Sequence, residues 1–181
     1  MRTRHFKTCE FEVLRLECWI FSTIEVELKT RTCFFLVVIL HLVSSDVLAW
    51  TGKVVGIYDG DTISVLNGNR KEKIRLYGID CPEREQPFYQ KAKSFTSARV
   101  FGRQVEVRPV DTDKYGRIVA WVYVGAECLN LELVGNGLAW HYRFFAANEP
   151  ELESLEKDAR ERRVGIWSQK NPEAPWNFRR K

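Results

Sequence analysis

Asp59-Gly60-Asp61-Thr62, the stretch from Arg75 to Glu83 (RLYGIDCPE), and the stretch from Asp111 to Arg117 (DTDKYGR) are where carboxylates and guanidiniums gather in this sequence. Asp61 and Asp80 carry the first chemical reading. If the segments around them form a strand meander, Asp61 near the start of one strand and Asp80 just past the end of the next can lie side by side. Two carboxylates, helped by a backbone carbonyl and waters, make a hard oxygen site suited to Ca²⁺ rather than to a soft transition metal. Each residue also has a plainer reading. Asp59-Gly60 is a turn dipeptide first, Arg75 a strand-surface cation, Arg117 a residue after a turn, and Glu83 a carboxylate favoured by a helix N-terminus. Asp111-x-Asp113 opens like an EF-hand loop, but Tyr115 stands at the next ligand position and Val122 where the bidentate glutamate belongs, which excludes that site. No Cys/His spacing suggests zinc.

The elements that must position these residues are short strands. Thr51 to Tyr58, Thr62 to Leu66 and Glu72 to Tyr77 are rich in β-branched residues with partial alternation, punctuated by Asp59-Gly60 and Asn67-Gly68-Asn69. Both turns favour tight hairpins, because such residues tolerate the positive φ of type I′ turns. Gln86 to Phe101 reads as a helix after Pro82. Val105 to Val110 and Ile118 to Val124 read as two further strands, and Cys128 to Val134 and Glu149 to Arg163 as helices. The last has Leu152, Leu155 and Ala159 on one face. Five strands with a helix between the third and fourth is the order of an OB-fold, a partly open Greek-key barrel in a mainly β fold with helices (α+β).

At 181 residues the chain is long enough for one domain and a peripheral segment. Hydrophobic residues at 45% exclude the composition of a disordered chain. A net charge of +4 is compatible with a polyanionic partner without requiring one. The organisational break falls near residue 50. The apolar run Cys33 to Val43 is about 11 residues, short of the roughly 20 that span a bilayer. With Lys29 and Arg31 before it and Ser44-Ser45-Asp46-Val47-Leu48-Ala49 after it, residues 29–49 read as a signal peptide cleaved after Ala49. A membrane anchor or a buried strand is the alternative. Residues 1–28 fit no part of that pattern and read as an uncertain extension, from a misassigned start or preceding an anchor. The domain then spans 50–167, with a basic tail at 168–181. Cleavage would leave Cys81 and Cys128, and whether they form a bridge stays open.

Together, the three charged stretches resemble the thermonuclease (staphylococcal nuclease-like) family. Its pattern of Asp-Gly-Asp-Thr, Arg-x-x-x-x-Asp-x-Pro-Glu and Asp-Lys-Tyr-Gly-Arg is matched in order by Asp59 to Thr62, Arg75 to Glu83 and Asp113 to Arg117, within a similarity covering about Thr51 to Trp167. The resemblance implies that Asp61 and Asp80 bind Ca²⁺ through carboxylates and Cys81 through its backbone carbonyl. It implies Glu83 as general base, Arg75 and Arg117 as phosphate-binding arginines, and Lys114 and Tyr115 as contacts to a neighbouring phosphate. The implied protein is a secreted or periplasmic Ca²⁺-dependent endonuclease acting on DNA and RNA, a monomer with no obligate protein partner, touching membrane only if the N-terminal segment stays uncleaved. A noncatalytic nucleic-acid-binding OB module and a cell-surface Ca²⁺-binding module are the alternatives. Tyr142, its register open by one residue, is a further candidate beside the phosphate, and Trp140, Phe144 and Phe145 could stack on bases, although aromatics after a helix more often belong to the core. His141 reads as structural or surface rather than catalytic.

Overall fold

Alternation turns residues 50–76 into a meander. In β1 (Trp50–Ile57) Val54 faces inward, in β2 (Thr62–Asn67) Ile63 and Val65 are fully buried, and in β3 (Arg70–Leu76) Ile74 and Leu76 are buried on either side of Arg75. A period of two thus sends 74 and 76 to the core and 75 to the outer face. β2 lies antiparallel to both neighbours, with Ile57 opposite Ile63 and Thr62 opposite Arg75. The structure, a computed structural model, describes residues 48–181. The expected extension (1–28) and nearly all of the signal-like segment (29–49) lie outside the described residues. Among the described residues no helix is long and apolar enough to cross a membrane.

After β3 the chain turns at Gly78 (φ 74°) into the two-residue strand β4 (Ile79–Asp80). It then enters helix α1 (Tyr89–Val100), which buries Ala92, Thr96 and Val100. β5 (Gln104–Thr112) pairs with β1, and β6 (Ile118–Val124) runs antiparallel to β5. β6 also pairs in parallel with β3, Arg75 opposite Val119, and this closes five strands into a mixed barrel. The barrel is the expected OB-type architecture. Closure pairs the edges that an open sheet would expose.

β7 (Glu127–Cys128) leads into α2 (Leu129–Gly135), β8 (Trp140–His141) pairs with β4, and α3 (Pro150–Glu161) packs on α2. Ile63, Ile74, Leu76, Val122, Leu133 and Leu152 meet in the core. Burying each is worth about 1.5–3 kcal/mol before chain entropy is counted.

Three local expectations differ from the structure. α1 starts at Tyr89 rather than Gln86, because Phe88 sits at φ 70° and stops the helix from extending backward. Cys128 ends β7 instead of opening α2. The segment 168–181 is more than an appended tail: after a 3₁₀ turn (Gly165–Ser168) it forms the short helix α4 (Pro175–Phe178), with Ala174 and Pro175 buried. Cys81 and Cys128 are both free and buried, so no bridge joins them.

Candidate active site

Asp61 is fixed by two backbone N–H groups and a hydroxyl. Its carbonyl accepts the Leu76 N–H (2.8 Å), its Oδ2 accepts the Cys81 N–H (2.6 Å), and its Oδ1 accepts the Thr62 hydroxyl (3.1 Å). From behind, α1 grips the turn: the Thr96 hydroxyl donates to the Gly60 carbonyl at 2.6 Å. Gly60 fits there because it lacks a side chain. A Cβ would lie 2.7 Å from Cys81 Sγ and 2.9 Å from Ala92 Cβ. Neither Asp59 nor Gly60 has a positive φ, so the type I′ geometry expected for that turn is not formed, whereas Gly68 in the next turn does sit at φ 58°. The Asp-Gly dipeptide is needed here for close approach rather than for left-handed backbone.

Asp80 enters from the other side. Its strand β4 pairs with β8, Asp80 opposite Trp140. The buried Asn130 side chain donates to the Tyr77 and Ala120 carbonyls (2.9 and 3.2 Å) and accepts the Val122 N–H (3.1 Å). That amide pins the end of β3 to β6, and with it the turn that aims Asp80.

Arg75 joins the two aspartates, with Nη1 3.0 Å from Asp61 Oδ2 and Nη2 2.8 Å from Asp80 Oδ1. Glu83 follows buried Pro82, and its N–H is held by Gln86 Oε1 at 2.9 Å. The other amide end of Gln86 donates to the Glu173 carbonyl at 2.8 Å, tying this loop to the C-terminal segment. From that segment Arg179 donates through Nη2 to Asp80 Oδ2 (2.8 Å) and through Nη1 to Asp80 Oδ1 (3.3 Å) and Glu83 Oε1. Arg179 was absent from the sequence-based site. Its pairing with Asp80 spans 99 residues, and a basic C-terminus gives no local sign of it.

Acids outnumber bases at this end of the barrel, with Asp59, Asp61, Asp80 and Glu83 facing Arg75 and Arg179. Burial and then the Asp61 carboxylate push Asp59 up to about 7. Burial and the same Asp61 charge raise Asp80 as well, against the pull of Arg179 and Arg75. Burial works against the charge on Arg75, yet Asp61 and Asp80 together hold its proton more firmly than usual. Such a cluster is electrostatically short of positive charge.

Arg117, Lys114 and Tyr115 sit apart from this cluster, on the turn between β5 and β6. Arg117 Nε is 2.6 Å from Asp113 Oδ2, and its backbone N–H donates to Asp113 Oδ1 at 3.0 Å. Its guanidinium lies 5.5 Å from the Tyr115 ring centroid, and its terminal Nη nitrogens have no hydrogen-bond or ion-pair partner among the described residues. Arg117 lies just before β6, two residues ahead of Val119, the partner of Arg75. Lys114 and Tyr115 are exposed, Nζ lying 5.1 Å from the ring centroid. The structure therefore gathers Asp61, Arg75, Asp80, Cys81 and Glu83, and sets Lys114, Tyr115 and Arg117 along the neighbouring turn.

Beyond β8, Trp140 is 4% exposed and so cannot stack on a base, while Phe144 and Phe145 are open. Tyr142 lies parallel to Trp176, centroids 5.0 Å apart. His141 is buried with Nε2 2.6 Å from the Ala146 carbonyl, a structural histidine.

As a metal site the donors are oxygen and hard. Among the described residues no group of three or more His, Cys, Asp or Glu side chains is gathered to hold an ion. A cation on Asp61 and Asp80 would take its remaining ligands from backbone oxygen and water, a set that suits Ca²⁺. The excess of buried carboxylate fits such a cation.

Residues 73–169 match the family model described as staphylococcal nuclease homologue. The chain belongs to the staphylococcal nuclease family. It is 35% identical to the micrococcal nuclease of Shigella flexneri over 148 residues, covering 75% of this chain and 85% of that protein. It is 41% identical to Protein ParB of Escherichia coli over 145 residues, 73% of this chain and 82% of the relative. An uncharacterized endonuclease of Haemophilus influenzae is 37% identical over 131 residues, 72% of this chain and 73% of the relative. These relatives support a nuclease, a hydrolase acting on nucleic acid. For a staphylococcal nuclease family member, the barrel and the acidic cluster at its end are the features to interpret chemically.

Proposed function

We propose that this protein is an exported, Ca²⁺-dependent nuclease that hydrolyses phosphodiester bonds in DNA and RNA. The observation that carries the reading is the convergence of Asp61, Arg75, Asp80 and Glu83 at one end of the barrel. Export rests on the signal-like residues 29–49.

Asp61 and Asp80, with the Cys81 carbonyl, would hold Ca²⁺. When bound, the cation supplies positive charge against the phosphate oxygens. Every other task falls to side chains. Glu83, with its side chain 36% exposed, is the member of the acidic set open enough to meet an attacking water and take its proton. A general base of this kind contributes about 10²- to 10⁴-fold. Arg75 and Arg117 oppose the charge that grows on the nonbridging oxygens as the phosphorus becomes five-coordinate. Arginine suits this because its planar fork donates two bonds and stays charged. Arg117 engages Asp113 through Nε, which leaves its terminal amines for the phosphate. Lys114 and Tyr115, further along the turn, would contact the next phosphate of the strand.

Single-turnover cleavage and nucleic-acid affinity, measured under one ionic condition for the parent, Glu83→Gln and Arg117→Lys, test the reading. Both variants should lose about 10²-fold or more in turnover with affinity changed only severalfold. Ca²⁺ should support cleavage, Mg²⁺ poorly because it demands tighter octahedral geometry, and chelator should abolish it. A noncatalytic binding module would have no rate to lose, and its affinity would follow total positive charge and salt. Parent-like rates in both variants would remove Glu83 and Arg117 from the reaction centre, and full activity in chelator would remove the cation.

A further inference from the structure

Of the charged groups in the cluster, Asp59 and Arg179 have no part in the proposed reaction. Yet Arg179 makes more contacts to its carboxylates than any other cation. Among the described residues it is the only donor to Asp80 Oδ2 and the only partner of the Glu83 carboxylate. It also shares Asp80 Oδ1 with Arg75. One guanidinium spread over these two acids has the charge sign and the contacts that a cation bound to Asp80 would need. Both cannot hold Asp80 Oδ2 at once.

The backbone beneath Arg179 is fixed. Ala174 and Pro175 are buried, Trp176 lies flat against Tyr142 (interplanar angle 6°), and the Glu173 carbonyl accepts from Gln86. The Arg179 N–H closes α4 on the Pro175 carbonyl at 3.0 Å. Its side chain is another matter, being 42% exposed against 14% for Arg75. An exposed arginine on a docked helix can swing from its carboxylates to water without moving the tail. Arg75, rooted in the barrel and bridging Asp61 to Asp80, has no comparable freedom.

We propose that Arg179 is a further functional residue of the site: a tail-borne guanidinium that occupies Asp80 and Glu83 in exchange with the divalent cation, and that must release them for the cation to bind. The inference rests on the cation reading above. Its consequence is that apparent Ca²⁺ affinity is set partly by the tail, and that Glu83 becomes free to accept a proton only as the cation arrives.

The test is calorimetric titration of Ca²⁺ into the full-length parent, Arg179→Gln, Arg179→Lys and Arg180→Gln in one low-salt buffer, with thermal melts in chelator to establish folding. Arg179→Gln should bind Ca²⁺ about tenfold more tightly, or about 1.4 kcal/mol. Arg179→Lys should fall between it and the parent, since an ammonium is a point charge that cannot fork across two acids. Arg180→Gln removes the same charge one residue away, and should bind as the parent does. In the parent, the Arg179 Nε–H resonance, identified by its loss in Arg179→Gln, should shift on adding Ca²⁺. Equal or weaker binding by Arg179→Gln, or tightening matched by Arg180→Gln, overturns the inference and leaves the cation reading standing. Absence of Ca²⁺ binding in both the parent and Arg179→Gln overturns the two together.

Discussion

Arg75→Gln isolates the electrostatic logic of the site. Arg75 is 3.0 Å from Asp61 and 2.8 Å from Asp80, whose side chains are only 8% and 2% exposed. Glutamine keeps some of the packing and removes the charge, leaving two buried carboxylates to face each other. Breaking a buried pair by removing one partner costs about 3–5 kcal/mol. Arg179 stays on Asp80 and relieves part of this, so the lower figure, about 3 kcal/mol, applies. For a domain of this size that is a fall in Tm of roughly 10 °C in chelator. On the proposed cation reading Ca²⁺ would supply the missing positive charge, and should therefore raise the Tm of the variant more than that of the parent.

The sign of the pH dependence follows from Asp80. Its carboxyl already sits above the ordinary range through burial and the Asp61 charge, with Arg75 among the groups opposing the rise. Losing Arg75 raises it further. A carboxyl that binds its proton more tightly when folded makes a contribution to stability that is lost as pH climbs through its folded value. The deficit of Arg75→Gln should thus be largest at alkaline pH and shrink as the solution is acidified. Scanning calorimetry at several pH values, with chelator and with millimolar Ca²⁺, measures both effects. A variant that melts with the parent in chelator, or whose deficit ignores both Ca²⁺ and pH, would refute the reasoning.

Three shorter predictions concern other parts of the molecule. Asp59, pushed up to about 7, takes up a proton on folding between about pH 4 and that value, so stability in chelator should fall as pH rises through this window; Asp59→Asn should flatten the slope in pH-dependent melts. Gly60→Ala places a methyl 2.7 Å from Cys81 Sγ and 2.9 Å from Ala92 Cβ, an overpacking worth about 1–3 kcal/mol that should appear as a lower Tm and weaker cation binding, since the turn carrying Asp61 must shift. Intact-mass analysis of protein recovered outside the cytoplasm should find Trp50, or a residue within a few positions of it, at the N-terminus.

The barrel was legible because its strands are short, β-branched and bounded by turn residues, so five of them could be placed to within a few residues. The motif residues were legible as a set because they lie in three compact stretches. What escaped the sequence has physical causes. β4 and β8 have two residues each, too few to show a period. The left-handed Phe88 that delays α1 carries none of the usual Gly or Asn signal. Thr96 and Asn130 look like ordinary helix polars, and matter only because burial turns each into an anchor for a site-bearing turn. Arg179 was invisible because a charged C-terminus is normally solvated, and only the docking of α4 brings it to Asp80.

These contacts divide the site into a rigid half and an adjustable half. Asp61 is held by the β2–β3 backbone, by Cys81 and, through Gly60, by Thr96, while Asp80 is held by β8 and by the Arg75 bridge. Both aspartates are almost wholly buried, so no rotation into water can relieve their charge. Glu83 and Arg179 stand on the loop after Pro82 and on the tail, meet the rigid pair only through the Arg179 side chain on Asp80, and are both at least a third exposed. A rigid pair of carboxylates can select a cation by its size and preferred oxygen donors. A movable acid and base beside it can then change partners as the charge on the rigid pair changes. Substitutions in the rigid half should therefore register first in stability and cation affinity, and those in the adjustable half first in rate and in the concentration of cation that rate requires.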